Sequence, residues 1–396
     1  MTLNEDNQPQ KVHKKHATLV RPALGNFGRN EWAFLGAPCT NIKLLADTII
    51  NALSAKYKCA YADTSHNDEM IKPPGRIANG AILEYTDQVN CGQYNFKDAL
   101  SPVLFRQQFN EADLVLVNGN HQQAKAQVVI IYENKITSLQ KRVDNLTNVQ
   151  LILLDDRVDG VFDFVKEAVP QWQSLPTYRM SDTENIIAFF ESQMQNARPV
   201  LNGLALAGGQ SQRMGFDKST VNIYGKEQRY YMADLLKNYC NEVFISCRAD
   251  QNENIDVGYK AIEDTFTGLG PFGAILSAFR QNPDQALLVV ACDLLLLDKD
   301  ILNFLVSNRS VASLATAFKS EHDDFPEPLI TIWEPKSYPV LLAYLAQGYS
   351  CPRKVLINSD INLLRAPNPT ALSNVNTPDD LDRIKRELHQ KMANAL

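Results

Sequence analysis

The sequence lacks the features that mark membrane-spanning, secreted and nucleic-acid-coating proteins. No run reaches the roughly 18 apolar residues that a spanning helix needs. The first residues, MTLNEDNQPQKVHKKH, contain no apolar core of a secretory signal. The net charge is −6, so the surface does not attract a phosphate backbone. We therefore expect no membrane span and no nucleic-acid partner.

Cysteine and histidine are scarce, and neither shows the spacing of a metal site. The seven cysteines contain no Cys-x2-Cys pair, and the six histidines contain no HExxH motif. The cysteine count is odd, and several of these residues, such as Cys292, lie inside apolar runs. This pattern predicts free thiols, a reducing compartment and hence a cytoplasmic location, without a structural zinc site.

The length and composition predict two globular domains. The chain has 396 residues, of which 45% are apolar and 21% are charged. A polar, helix-forming stretch, SDTENIIAFFESQMQNARP, ends at Pro199, and an apolar run begins at Val200. We therefore place a first domain at residues 1–197 and a second at residues 198–396.

Both halves alternate between apolar strands and amphipathic helices, which predicts two helix-covered α/β domains with three αβα layers. In the first half, the predicted strands are NEWAFLG, KCAYADTS, DLVLVNG, VVIIYE and NVQLILLDD, and NIKLLADTIINALSAK is a predicted helix. In the second half, the predicted strands are Leu201–Leu206, Val243–Ser246, Leu287–Ala291, Ser313–Ala317 and Leu329–Trp333. Helices are predicted at Tyr230–Tyr239, Phe272–Arg280, Asp300–Val306 and Tyr338–Ala346, and Thr377 is predicted to cap a last helix.

The segment LALAGGQSQRMGFDKST, residues 204–220, carries the strongest chemical signal. An apolar strand leads directly into Gly208 and Gly209, which permit close approach of the backbone to a ligand. Arg213 and Lys218 follow as two cations in one short loop. Phosphate groups are bound by such cations, and open α/β sheets bind ligands at the carboxyl ends of their strands. A glycine turn with two solvated cations is the simpler alternative, but the combination favours a triphosphate site.

Three further segments are candidates of decreasing strength. Asp293 ends the apolar strand LLVVACD, where an acid can hold Mg²⁺ between phosphate oxygens. Asp264 precedes a glycine-rich turn and a helix, and taken alone it is better explained as part of a helix start. Asn374 and Asn376 can recognise a heterocycle or phosphate, although Thr377 fits a plain helix cap equally well.

Taken together, these segments resemble the molybdenum cofactor guanylyltransferases, a family within the nucleotidyltransferase fold. The family motif LAGGxSxRMGxDK is matched by Leu206–Lys218, and the closing motif NxNTPxDL is matched by Asn374–Leu381. The family's GPxxG segment is represented by Gly270–Gly273, with its second glycine shifted by one position. The resemblance covers about residues 200–390, and it departs from the family at Phe216 and Leu295.

The resemblance implies transfer of GMP from GTP to the terminal phosphate of molybdopterin, with release of pyrophosphate and formation of molybdopterin guanine dinucleotide. It implies Mg²⁺ at Asp293, catalytic roles for Arg213, Lys218 and Asp293, and contacts of the acceptor with Asn374 and Asn376. Cytidylyltransferases usually have LAAG at this position, so Gly208-Gly209 favours guanine. The resemblance also implies partners among molybdoenzyme apoproteins or other cofactor-biosynthesis proteins. The nucleotide-binding residues would be Leu206, Ala207, Gly208, Gly209, Ser211, Gly215 and Asp264.

The first half weakly resembles the P-loop adaptor protein of the same pathway. The strand NEWAFLG leads into Gly36–Lys43, but Ile42 precedes Lys43 and Leu44 follows it. A working P-loop has glycine before this lysine and Ser or Thr after it. We interpret residues 1–197 as a degenerate, non-hydrolytic P-loop-like domain, and an unrelated α/β domain is a nearly equal alternative. His66 and His121 are interpreted as solvated loop histidines, with contact to a pterin as the alternative.

Two other functions compete with guanylyl transfer. The first is a nucleotidyltransferase with another base or acceptor, such as CTP with molybdopterin or a sugar phosphate. The second is a protein that carries molybdopterin without catalysis. Retention of Arg213, Lys218 and Asp293 together argues against a carrier, because a carrier does not need all three charged groups.

Overall fold

The computed structural model describes residues 25–64, 75–209, 217–321, 323–375, 377, 379–384 and 386. The chain forms two compact units. The predicted boundary between residues 197 and 198 stays a prediction. The first unit comprises the chain up to Lys43 with Tyr61–Arg106 and Val115–Ser181, and the second comprises Leu44–Ala60, Gln107–Leu114 and the chain from Asp182 onward.

The elements before residue 200 build a sheet whose five strands from β5 to β8 pair in parallel, and a separate hairpin. Within the described residues this sheet has six strands in the order β2-β5-β1-β6-β7-β8, while β3 and β4 pair only with each other. The strands β1, β5 and β6 are almost entirely buried, as expected for parallel strands. The elements are β1 Glu31–Leu35, α1 Cys39–Leu53, β2 Cys59–Ala62, β3 Leu83–Asp87, β4 Gly92–Phe96, α2 Pro102–Gln107, β5 Leu114–Asn118, β6 Ala126–Ile131, α3 Ile136–Gln140, β7 Val149–Leu154, α4 Asp163–Ala168, β8 Thr177–Arg179 and α5 Thr183–Asn196.

The elements after residue 200 build a second sheet. Its seven strands, counted within the described residues, have the order β11-β10-β9-β12-β14-β13-β15. Strands β9 to β12 run parallel, whereas β14 is antiparallel to both of its neighbours. The elements are β9 Leu201–Leu206, α6 Gln228–Leu236, β10 Val243–Cys247, α7 Ala249–Asn252, β11 Lys260–Glu263, α8 Pro271–Gln281, β12 Ala286–Ala291, α9 Lys299–Ser307, β13 Ala315–Lys319, β14 Pro326–Trp333, α10 Ser337–Ala346, α11 Pro352–Ile357 and β15 Asn362–Leu364.

Strand β12 lies at the centre of the second core and contributes to both faces of its sheet. Leu288 packs in a cluster with Met232 of α6 and Leu302 of α9. The next residue, Val289, packs in the opposite cluster with Phe272 of α8. Successive side chains of a strand point to opposite faces, so helices cover this sheet on both sides. The three layers predicted for this half are therefore present.

The predicted α/β class is confirmed in both halves. Every strand and helix predicted above within the described residues is present, with bounds shifted by a few residues. The cap is present as well, since Thr377 Oγ1 accepts a hydrogen bond from the Asp380 amide at 3.2 Å. The hairpin β3–β4 and the short strands β8, β11 and β15 were not predicted, because their sequences lack the long apolar runs that mark buried strands.

All seven cysteines are free, as the sequence predicts. Cys247 and Cys292 are buried, whereas Cys91 and Cys351 are exposed. Within the part of the chain that the structure describes, no helix combines the length and the apolar character needed to cross a membrane.

Candidate active site

A cleft of about 650 Å³ opens where three neighbouring strands of the second sheet end. Leu206 ends β9, Ser246 lies near the end of β10, and Ala291 ends β12. These strands are parallel neighbours, so their carboxyl ends meet at one edge of the sheet, where α/β folds bind ligands. The predicted site residues that line the cleft are Leu206, Ala207, Gly208, Gly209, Lys218, Asp264 and Asp293.

One side of the cleft is formed by Gly208 and the Asp264 carboxylate. Ser246 Oγ donates a hydrogen bond of 2.7 Å to Asp264 Oδ1. The second oxygen, Oδ2, lies 3.1 Å from the position that a Cβ on residue 208 would occupy, so a side chain there would crowd the carboxylate. Burial raises the pKa of the Asp264 carboxyl, and the hydrogen bond from Ser246 opposes this effect. The first glycine of the pair therefore leaves room beside a buried acceptor.

Arg248 fixes the backbone of this glycine turn. Its Nη1 donates a hydrogen bond of 2.9 Å to the Gly208 carbonyl oxygen. Its Nε and Nη2 bind the two carboxylate oxygens of Asp250 at 3.0 and 2.9 Å, a bidentate pair that orients the guanidinium. The position of Gly208 thus depends on a side chain from the neighbouring strand end.

Lys218 and Asp293 face each other on the other side of the cleft. Lys218 Nζ lies 3.8 Å from Asp293 Oδ2 and donates a hydrogen bond of 2.6 Å to the Val375 carbonyl oxygen. The Val375 amide in turn donates to the Asp293 carbonyl oxygen at 3.1 Å. Burial raises the pKa of the Asp293 carboxyl, and the nearby ammonium of Lys218 opposes this effect. A cation and an acid are thereby held together beside the glycine turn.

The residues present fit a divalent cation that is shared with a phosphate ligand. Asp293 Oδ1 is buried and has no hydrogen-bond partner among the described residues, so it is available to a metal ion. Asp217 also lines the cleft, but its carboxylate is engaged by Ser219 and Gln251. The described residues contain no cluster of three or more metal-ligating side chains. Mg²⁺ commonly binds one or two carboxylates and completes its shell with substrate phosphates and water.

The glycine-rich turn before α8 has a packing function as well as a place in the cleft. Gly270 has a φ of 57°, in the left-handed region that favours glycine. A Cβ on Gly273 would lie 2.1 Å from the Phe266 carbonyl oxygen, so the helix start requires glycine there. Gly270 and Pro271 also line the cleft. The segment therefore shapes the cleft wall through its backbone.

Several predicted residues are not placed in the cleft. Asn374 is described but does not line it; its neighbour Val375 reaches Lys218 and Asp293 through backbone groups. The predicted residues Ser211, Arg213, Gly215 and Asn376 lie outside the described residues, as does His66. Their roles stay predictions.

Sequence reasoning missed Ser246, Arg248 and Asp217. Ser246 ends a strand that was predicted, and its place at the carboxyl edge was the available signal. Asp217 lies inside the quoted motif, where its side chain bonds the Ser219 amide at 2.9 Å. No sequence pattern pointed to Arg248, because its contact with Gly208 depends on the pairing of β10 with β9.

Residues 203–361 match the family model of the MobA-like NTP transferase domain. The second half of the chain contains a MobA-like NTP transferase domain. The resemblance that the motifs indicated is thus confirmed for this half, and so is the expectation of a nucleotidyltransferase enzyme. The resemblance of the first half to a P-loop adaptor stays a prediction.

Curated relatives match about half of the chain. The chain is 29% identical over 198 residues to a protein of Shewanella baltica named molybdenum cofactor guanylyltransferase, covering 48% of this chain and 97% of the relative. It is 31% identical over 185 residues to a molybdenum cofactor biosynthesis bifunctional protein of Synechocystis sp., covering 46% of this chain. The chain spans only about half, 53%, of the length of that second relative.

A solved structure also aligns with about half of the chain. It is a molybdopterin-guanine dinucleotide biosynthesis protein A from Archaeoglobus fulgidus, with a TM-score of 0.42 and 22% identity. The alignment covers 48% of this chain and 99% of that chain.

Proposed function

We propose that the chain transfers GMP from GTP to the terminal phosphate of molybdopterin, releasing pyrophosphate and forming molybdopterin guanine dinucleotide. The observation that carries this proposal is the Lys218–Asp293 pair beside Gly208 and Asp264, in one cleft of a MobA-like NTP transferase domain. The names of the relatives from Shewanella baltica and Synechocystis sp. support the choice of substrates.

The proposed guanine site is the side of the cleft formed by Gly208 and Asp264. Guanine presents two adjacent N–H donors, on N1 and N2, and an ionised carboxylate accepts such donors well. Ser246 holds one oxygen of Asp264, and the absence of a Cβ at residue 208 leaves the other accessible. Arg248 holds the turn against this pocket. Cytosine offers no such pair of ring and amino donors, so this site selects guanine.

In the proposed reaction, the attacking group is already an anionic phosphate oxygen, so no strong general base is needed. The barrier lies in bringing two polyanions together and in stabilising charge on the pyrophosphate that leaves. Lys218 contributes positive charge at the phosphates, and Arg213 is proposed to do the same. Asp293 would hold Mg²⁺, which when bound neutralises phosphate charge. Asn374 and Asn376 are proposed to contact the acceptor.

We expect GTP with Mg²⁺ to bind the protein at least about tenfold more tightly than CTP, since one good polar contact contributes roughly 1–2 kcal/mol. Calorimetry with both nucleotides measures the ratio. Asp264→Asn replaces one acceptor oxygen by a donor and is expected to remove most of the preference for GTP. Asp256→Asn, a change at a loop residue outside the cleft, should leave the preference unaltered. Equal affinity of the unsubstituted protein for GTP and CTP would overturn the guanine assignment.

The first half is proposed to contribute no nucleotide hydrolysis. Only Ala37 and Pro38 lie between Gly36 and the start of α1 at Cys39, so the loop that would cradle phosphates is missing. Lys43 lies on α1 and pairs with Asp63 at 3.5 Å. In an Asp293→Asn background, which removes transfer, we expect no GTP-dependent release of inorganic phosphate. Phosphate release that is lost on Lys43→Ala would show a working P-loop.

We further propose that the reaction takes place in the cytoplasm and that its product is passed to molybdoenzyme apoproteins or other cofactor-biosynthesis proteins. The seven free cysteines support a reducing compartment.

A further inference from the structure

A cysteine and a histidine that transfer chemistry does not use meet in the first unit. Cys39 Sγ lies 3.3 Å from His121 Nε2. Cys39 is the first residue of α1, directly after the turn at Gly36, and His121 follows strand β5. Both residues are partly exposed. His121 is a partly exposed loop histidine whose ring also contacts a thiol.

The loop after β5 holds this pair in place through Asn120. Its side-chain Nδ2 donates to the Ala37 carbonyl oxygen at 2.8 Å, and its Oδ1 accepts from the Gly36 amide at 3.3 Å. The same Nδ2 lies 3.9 Å from Cys39 Sγ, within reach of a weak hydrogen bond to sulfur. The thiol at the start of α1 and the imidazole of the loop after β5 are thus joined by a fixed amide.

The turn that carries His121 is built on a buried asparagine, Asn118. Asn118 is fully buried, and its Oδ1 accepts a hydrogen bond of 3.2 Å from the Asn120 amide. The turn from Asn118 is closed by the His121 amide, which donates to the Asn118 carbonyl oxygen at 3.1 Å. The turn that carries His121 is therefore fixed by its own hydrogen bonds, which keep the imidazole beside Cys39.

We propose that Cys39 is a thiol modification site that takes low-molecular-weight disulfides, with His121 as the acceptor of the thiol proton. Cys39 Sγ attacks one sulfur of the disulfide and forms a new S–S bond, while the disulfide's own S–S bond breaks. The departing sulfur leaves as a thiolate with the electron pair of that bond. The proton of Cys39 passes to His121 Nε2, so atoms and electrons balance.

The other cysteines supply internal controls. Cys91 and Cys351 are the exposed cysteines, and Cys91 Sγ contacts only an amide oxygen, that of Gln88 at 3.7 Å, among its described partners. Cys247 is buried, and burial raises its pKa to about 11, which makes it unreactive near neutral pH. Accessibility alone therefore ranks Cys91 and Cys351 above Cys39. Because His121 is proposed to accept the thiol proton of Cys39, Cys39 is expected to react faster than both exposed cysteines.

The experiment treats the full chain with limiting oxidised glutathione and measures each mixed disulfide by peptide mass spectrometry over time. We expect Cys39 to react at least about tenfold faster than Cys91 and Cys351. His121→Gln is expected to slow Cys39 to the rate of the exposed cysteines and to leave their rates unchanged. A rate at Cys39 that is no higher than those of Cys91 and Cys351 in the unsubstituted chain would overturn the proposal.

Two further measurements separate a loss of the base from a loss of structure. In the His121→Gln variant, Cys247 should remain unmodified, which shows that the fold is intact. In urea, all cysteines should react at similar rates, because the contact between Cys39 and His121 is lost. A Cys39 rate that is equally high in the unsubstituted chain and in a folded His121→Gln variant would also overturn the proposal.

Discussion

Asp293→Asn is expected to lower kcat for guanylyl transfer by at least about 100-fold, the size of effect seen when one stabilising group is removed from a site of developing charge. Asn and Asp have nearly the same size, but the amide brings no negative charge to attract Mg²⁺. Asp293 Oδ1 is buried and has no hydrogen-bond partner among the described residues, so it is available as a metal ligand. The measurement is release of pyrophosphate from GTP in the presence of molybdopterin.

The fold should survive this change. Burial raises the pKa of the Asp293 carboxyl, which means that its ionised form is disfavoured in the folded protein without a metal ion. A neutral amide avoids that cost, so the midpoint of thermal unfolding should not fall. Asp256→Asn is the matched control and should retain full activity. Wild-type turnover by a folded Asp293→Asn variant would mean that the metal ion is held elsewhere.

Lys218→Gln is expected to produce the second largest loss, a decrease in kcat of about 100-fold or more, since a cation at the phosphates stabilises charge that develops in the transition state. Glutamine keeps a hydrogen-bond donor but carries no charge, so the variant tests the contribution of the charge. Steady-state kinetics with varied GTP separates kcat from KM.

Lys237→Gln is the matched control for Lys218→Gln. Lys237 is an exposed lysine that follows α6 and pairs with Asp234 at 2.8 Å. Such surface pairs contribute roughly 0–1 kcal/mol to stability and have no role in the cleft. The kcat of the Lys237→Gln variant should match that of the unsubstituted protein. If Lys218→Gln raised only KM and left kcat intact, Lys218 would be a binding group without a role in the transition state.

Many residues that line the cleft could be predicted from the sequence, because they lie next to strand ends. Gly208, Asp264 and Asp293 each follow a strand of the parallel part of the sheet, and parallel strands bring their carboxyl ends to one edge. Lys218 was identified from a contiguous motif. Local sequence therefore indicates which residues reach the cleft, provided that the strands are assigned correctly.

Contacts between distant segments could not be predicted from the sequence. The antiparallel direction of β14 depends on its pairing with β12 and β13, and an apolar run carries no sign of direction. Arg248 reaches Gly208 across two paired strands, and Val375 reaches Lys218 from a segment 157 residues away. The contact of Cys39 with His121 joins the start of a helix to a loop 82 residues away. Each depends on the assembled sheet rather than on a local pattern.

The most direct test of the central claim is pyrophosphate release by the full chain with Mg²⁺ and molybdopterin, measured separately with GTP, ATP, CTP and UTP. Release should require molybdopterin, should be fastest with GTP, and should be accompanied by formation of molybdopterin guanine dinucleotide, identified by mass spectrometry. Release with CTP at the same rate as with GTP, or no release with any nucleotide from a folded protein that binds GTP, would contradict the assignment of a guanylyltransferase.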